Sequence, residues 1–279
     1  MIGRWVGVLA ALLAAEFAAD CGRFCALAQE LPRSAPACGG EIIARGAASR
    51  TIDGRTFTLD GGREVRLAAI EVPLAPEESG EAPHGAAAKN ALAGLITGSV
   101  IVLRQAEPQT TDRYGRLVGY AFTAREGSQQ LVQAEMLAQG VARVAARVGG
   151  RACAVELLRR EDMARRARLG LWATSYYDLL DAENPDGVLA EQGRFALVEG
   201  KVVSVRESGA TIYVNFGRRW SKDFTVTILK RNARNFTAAG LEPSKLAGRR
   251  VRVRGFIEAR GGPWIEASRP EQIEFADGE

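Results

Sequence analysis

The sequence predicts an α+β fold rich in β-barrel, with one small barrel following another along the chain. Three features carry that prediction. Apolar and polar residues alternate with period two around a glycine pair between residues 41 and 70. Five short strand-like runs follow residue 195, with a helix-like stretch between the third and the fourth, which is the order of an OB-like β-barrel. Between the two lies an acidic, turn-forming segment, residues 176–187. The 279 residues are 47% hydrophobic and 25% charged, which excludes disordered and collagen-like chains.

The first 28 residues stand apart. Arg4 precedes an uncharged run of eleven, Trp5 to Ala15, short of the roughly 20 residues a membrane span needs. Ala26-Leu27-Ala28 then has the small-x-small pattern of a signal-peptidase site, so residues 1–28 read as a secretory signal. Retention as an uncleaved anchor, or burial as an N-terminal helix, are the alternatives. The mature chain is expected in the periplasm or outside the cell, with no membrane span. Cleavage discards Cys21 and Cys25 and leaves Cys38 and Cys153 in an oxidising compartment, where a disulfide is expected and two unpaired thiols are the alternative.

The first unit, residues 39–175, opens with strands at Ile42, 56–59 and 65–70, the last two separated by Gly61-Gly62. Residues 85–96 are alanine-rich, with Ala87, Ala91, Leu92 and Leu95 at helical spacing. Strands at 100–103 and 117–122 lead into helices at about 130–139 and 152–168, the second presenting Val155, Leu158 and Met163. His84, the only histidine, falls in a loop rich in Pro, Gly and Glu. A single histidine removes histidine-rich metal sites.

Residues 176–187 read as a linker and 188–279 as a basic OB-like domain. Strands are expected at 195–205, 211–216, 224–229, 251–257 and 264–267, with a helix around 232–246. From Gly187 onward there are sixteen Lys/Arg against eleven Asp/Glu, a net +5 within a chain of net +4. Arg218, Arg219, Trp220 and Lys222 cluster in one connection, and Arg252 and Arg254 alternate along a strand with Trp264 nearby. Cations beside rings are what a nucleic-acid strand requires, so these residues are nucleic-acid-binding candidates; a solvated strand face is the alternative.

Three stretches of the first unit, in order, are Thr51-Ile52-Asp53-Gly54-Arg55-Thr56, Arg66-Leu67-Ala68-Ala69-Ile70-Glu71-Val72-Pro73 and Thr111-Asp112-Arg113-Tyr114-Gly115-Arg116, and Gly170-Leu171-Trp172 closes the unit. Together they resemble the staphylococcal nuclease (thermonuclease) family over about residues 40–175. The resemblance implies an OB-like five-stranded barrel with three helices. It also implies phosphodiester hydrolysis, in which carboxylates hold calcium, a glutamate helps to activate water and two arginines stabilise the phosphorane-like charge.

Residue by residue, Arg66 and Arg116 match the two phosphate arginines and Tyr114 the tyrosine of the Tyr-Gly-Arg motif. Glu71 stands for the aspartate of the following loop, one methylene longer, and Val72 for its threonine. Arg55 takes the place of a calcium-binding aspartate, and Leu74 that of the water-activating glutamate. A guanidinium repels each unit of positive charge 4 Å away by about 4 kcal/mol at an effective dielectric near 20.

The expected pocket therefore gathers Arg55, Arg66, Tyr114 and Arg116 for an anion, with no metal and no cofactor; pairing of Arg55 with Glu71 is the plainer reading. The functional expectation is an exported protein that binds nucleic acid or another polyanion without efficient cleavage. The first alternative is an active phosphodiesterase with Arg66, Glu71 and Arg116 catalytic, calcium as cofactor and relocated carboxylates from Asp53, Glu77 or Glu78. The second is an envelope module that binds a protein partner.

Overall fold

The computed structural model of the chain describes residues 37–73, 82–125, 128–219 and 221–276; the expected signal at 1–28 lies outside them. The first barrel is built from β1 (Ile42–Asp53), β2 (Thr56–Leu59), β3 (Glu64–Leu67), β5 (Val100–Gln105), β6 (Leu117–Arg125) and β7 (Ser128–Leu131). They form one sheet in the order β3-β2-β1-β5-β6-β7, and an additional parallel pairing of β3 with β6 closes it. Closure removes the sheet edge that β3 would otherwise expose. A short ladder, β4 (Ile70–Glu71) with β8 (Arg143–Val144), sits beside the barrel mouth.

Phe57, Leu59, Val65, Leu67, Ile101 and Leu103 fill the barrel, and Leu92 and Ile96 of α1 (Ala82–Ile96) and Met136 and Leu137 of α2 (Val132–Ala138) cover it. The third helix, α3 (Arg151–Arg166), has its core face displaced from the one expected. Cys153, Ala154, Leu157, Glu161 and Ala164 are buried, while Val155 and Met163 are 61% and 56% exposed. A buried glutamate on the inner face breaks the apolar stripe, and hydropathy alone then selects the wrong side of the helix. Cys38 and Cys153 are joined by a disulfide. His84 lies in α1 rather than in a loop, its ring edge-on to Tyr177 at 5.3 Å.

The segment expected to be a linker is part of the second barrel. β9 (Leu180–Asp181) pairs in parallel with β10 (Phe195–Lys201), and α4 (Pro185–Leu189) starts at Asn184, whose side chain accepts from the Gly187 N–H. An Asn cap before a proline at the first helical position is a helix-start signal as well as a turn signal.

One sheet runs β17 (Ile273–Phe275), β14 (Arg250–Phe256), β10, β9; the other runs β11 (Ser204–Ser208), β12 (Thr211–Asn215), β13 (Thr225–Leu229), β16 (Gly262–Glu266), β15 (Glu258–Arg260). Between β13 and β14 comes α5 (Lys230–Ala238), which stops before Gly240, at φ +82°, short of the helical stretch expected to 246. Val198, Val214, Phe224, Val226, Ile228, Phe236 and Val253 form the second core.

Residues Ala37–Glu279 make one compact unit. Arg254 of β14 reaches Glu161 of α3 at 2.7 Å and donates to the Val144 carbonyl at 3.0 Å, while the Val144 N–H donates to Glu161 at 2.6 Å. Glu274 completes the ion-pair set around Arg254. Nearby, Arg143 of β8 donates to the Phe195 carbonyl at 2.8 Å, and Ala164, Trp172, Phe195 and Leu197 pack as a small apolar cluster. Among the described residues no helix is long and apolar enough to cross a membrane.

Candidate functional site

Four segments meet at the mouth of the first barrel. In the turn between β1 and β2, the Arg55 N–H donates to Asp53 Oδ1 at 2.8 Å. A Cβ on Gly54 would stand 2.7 Å from that of Ala88, so only glycine fits this close approach to α1. The turn carries Arg55 inward to 7% exposure, and its Nη1 donates to Glu71 Oε2 of β4 at 2.5 Å. Arg66 of β3 lies in register with Thr56 on one side and Val118 on the other.

The fourth segment is the turn before β6. Asp112 accepts from the Tyr114 and Arg116 N–H groups at 2.9 and 3.1 Å, and Arg116 binds the same carboxylate through Nε at 2.8 Å and Nη2 at 2.7 Å. Gly115 takes φ +77° at the tip, a conformation that favours glycine. The Asp112 carboxyl is held below the usual range: its partial desolvation opposes ionisation, but bonds from the Arg116 side chain and the two N–H groups outweigh it. Tyr114 is 65% exposed, with the guanidinium groups of Arg113 and Arg116 at 4.8 and 5.0 Å from its ring centroid.

These segments line a cavity of about 280 Å³ whose wall includes Arg55, Arg66, Glu71, Asp112, Tyr120 and Arg147. Arg55 and Arg66 come together there as expected, whereas Arg116 stands behind Asp112 and acts on the cavity through its field. The Arg66 side chain has no hydrogen-bond or ion-pair partner among the described residues. Its guanidinium is pushed below the usual arginine range by burial first and then by Arg55, with Arg116 adding to the repulsion. A cation in that state is stabilised by an anion that arrives in the cavity.

The deep wall holds residues the sequence did not single out. Tyr120 is 1% exposed, and its buried hydroxyl has no hydrogen-bond partner among the described residues. Burial, then the charges of Glu271 and Glu107, push that hydroxyl above its ordinary value, so it stays protonated as a donor. Its only mark in the sequence is strand alternation, which does not separate an ordinary core tyrosine from one that lines a cavity.

A calcium site needs several oxygen ligands converging without competing cations. Here Arg55 holds Glu71, Arg116 holds Asp112, and Asp53 closes a turn. Among the described residues there is no group of three or more His, Cys, Asp or Glu that suits a metal. The described residues do not fit calcium. Leu74, Glu77 and Glu78 lie outside them.

The candidates in the second barrel divide. Arg252 and Arg254 do not face solvent: Arg252 is 4% exposed and bound to Glu199 at 2.8 Å, and Arg254 is 1% exposed in the Glu161–Glu274 set. Both are therefore withdrawn as strand-binding residues. The outer side of β14 is covered by carboxylates and by α3, and period-two alternation does not distinguish such cover from water. Arg218, Arg219 and Lys222 are exposed, Arg219 lying 3.6 Å from Asp223. Trp264 is partly buried, with Arg260 over its ring at 4.7 Å. Trp220 lies outside the described residues.

A closed OB-like barrel with arginines gathered at its mouth, beside a Tyr-Gly-Arg turn, is an anion-binding arrangement on a small barrel. The family described as Staphylococcal nuclease homologue matches residues 64–174. Protein ParB of Escherichia coli is 36% identical over 137 residues, which is 46% of this chain and 72% of that protein. Micrococcal nuclease of Shigella flexneri is 35% identical over 137 residues, 46% of this chain and 74% of the relative. The chain belongs to the staphylococcal nuclease homologue family, which gives it a nucleic-acid-related function and leaves the second barrel beyond the matched residues.

Proposed function

We propose that the first barrel binds a nucleic-acid phosphate at Arg66 without efficient calcium-dependent cleavage. The observation that carries this is the Arg55–Glu71 pair at 2.5 Å, which puts a cation and its counter-ion where a calcium ligand set would have to converge. Arg66 remains as a donor on the cavity wall, and Tyr114 offers an exposed ring on the turn that carries Asp112. Export belongs to the same proposal, on the leader-like composition of residues 1–28, and a secreted product whose mass begins at Gln29 is the expected result of cell fractionation.

The deciding experiment incubates the full mature chain with labelled single-stranded DNA and RNA, in calcium and in chelator, and reads binding and cleavage in the same samples. Binding that is equal in both, with intact oligonucleotide, is expected. Arg66→Ala should weaken that binding about ten- to hundredfold, the range for losing a hydrogen bond to a charged group. Chelator-sensitive cleavage that disappears in Arg116→Ala would overturn the proposal. In a separate test, Arg55→Asp combined with Leu74→Glu is expected to create calcium affinity measurable by calorimetry; no heat of binding would show that more than these two side chains separates the pocket from a calcium cradle.

A further inference from the structure

The second barrel carries a groove of about 780 Å³ on its β11–β12 side, lined by Ser204, Arg206, Tyr213, Asn215 and Arg218. Strand alternation builds it. Ile212 and Val214 of β12 point into the core at 5% and 1% exposure, so Tyr213 and Asn215 face the other way. The ladder sets Arg206 opposite Tyr213 and Ser204 opposite Asn215, then carries both rows on to Thr227 and Thr225 of β13. Trp264 of β16, in register with Thr225, meets the Tyr213 ring edge-on at 6.1 Å and fixes its orientation.

Charge decides what this surface fits. Neither the Arg206 nor the Arg218 side chain has an ion-pair or hydrogen-bond partner among the described residues, and both are exposed. Glu207, which also lines the groove, is neutralised by Lys230 at 2.9 Å, and Glu258 is held by Arg260 at 3.1 Å. Glu266 is exposed and lies in the same cross-strand row as Tyr213, through Thr227, but two strands away and outside the groove lining. The floor is polar: Asn215, 6% exposed, donates to Ser204 Oγ at 3.3 Å.

We infer that this groove is a second nucleic-acid site, binding single-stranded nucleic acid with a base against Tyr213 and phosphates on Arg206 and Arg218. Free guanidinium groups beside a fixed ring are the pattern of strand-binding barrels, where the charges follow the backbone and the ring stacks on any base. The choice of nucleic acid as occupant rests on the reading of the first barrel; the surface itself lies wholly outside residues 64–174, and its binding can be measured separately.

The test is fluorescence anisotropy of a labelled oligothymidylate on the full chain between about 50 and 200 mM salt, the range over which phosphate contacts show their salt dependence. Arg206→Ala with Arg218→Ala should leave the unfolding midpoint unchanged and reduce the slope of log affinity against log salt by about 1.4, two phosphates at about 0.7 each. Tyr213→Ala should weaken binding about tenfold, the effect of one lost stacking contact. Unchanged affinity and slope in the double arginine variant would overturn the inference, as would displacement of the oligonucleotide by polyglutamate at equal charge. Arg66→Ala separates the two readings: loss there alone supports the first barrel and refutes the groove, and loss in the arginine pair alone does the reverse.

Discussion

Arg254→Ala is expected to lower the unfolding free energy by about 3–5 kcal/mol, the loss that follows when one partner of a buried ion pair is removed. Arg254 is 1% exposed and stands between Glu161, whose side chain is 3% exposed, and Glu274. Without the guanidinium, Glu161 is left buried, with the Val144 N–H as its remaining donor in the network. Burial opposes the charge on Arg254, but the two carboxylates outweigh it and hold the group above its ordinary value, so it is charged at every working pH. Urea unfolding followed by circular dichroism measures the loss, and a change below about 1 kcal/mol would show that water or a neighbouring cation satisfies Glu161. Because Arg254 belongs to β14 and Glu161 to α3, the variant should weaken both barrels in one transition. The same contact makes truncation after Gly187 a poor assay for the second barrel, since it exposes the interface and strips Glu161 of its counter-ion.

That network also shows where sequence reading stops. The barrels were legible because alternation and glycine turns are local: β12 and β13 fall within the runs expected for them, and β16 overlaps its run but begins two residues earlier, at Gly262. In the first unit, the motif residues Arg55, Glu71 and Arg66 do meet at one cavity, and the alternative pairing of Arg55 with Glu71 is the arrangement adopted. What failed depends on partners distant in the chain. Arg252 and Arg254 have the spacing of a solvated face, and their partners are Glu199, on the adjoining strand, and Glu161 and Glu274, one from the other barrel. Glu161 likewise misled the reading of α3, because a carboxylate facing inward is read as the outer side unless its cation is known. Asn184-Pro185 was ambiguous for a local reason: the same pair opens a turn or caps a helix, and the packing of Val188 into the second core decides for the helix.

Breaking the Cys38–Cys153 bond is expected to have the next largest effect, about 2–4 kcal/mol of stability, the usual range for a native bridge. The two cysteines are 115 residues apart in sequence, and for a loop of that length the chain-entropy treatment gives about 5 kcal/mol. Both are 2% exposed in the first core, so the bond fastens the entry to β1 onto the first turn of α3, a helix whose capping residue, Gly150, offers no side-chain bond. Cys38→Ala with Cys153→Ala is the cleaner test, because alanine places no hydroxyl in the core. The variant should unfold at lower urea, and reductant should move the wild-type chain toward the same midpoint while leaving the variant where it is. Equal midpoints for oxidised wild type and double variant would mean that the helix is held by its packing alone. A fall in the wild type that reductant does not reproduce would assign the effect to the two side chains rather than to the bond.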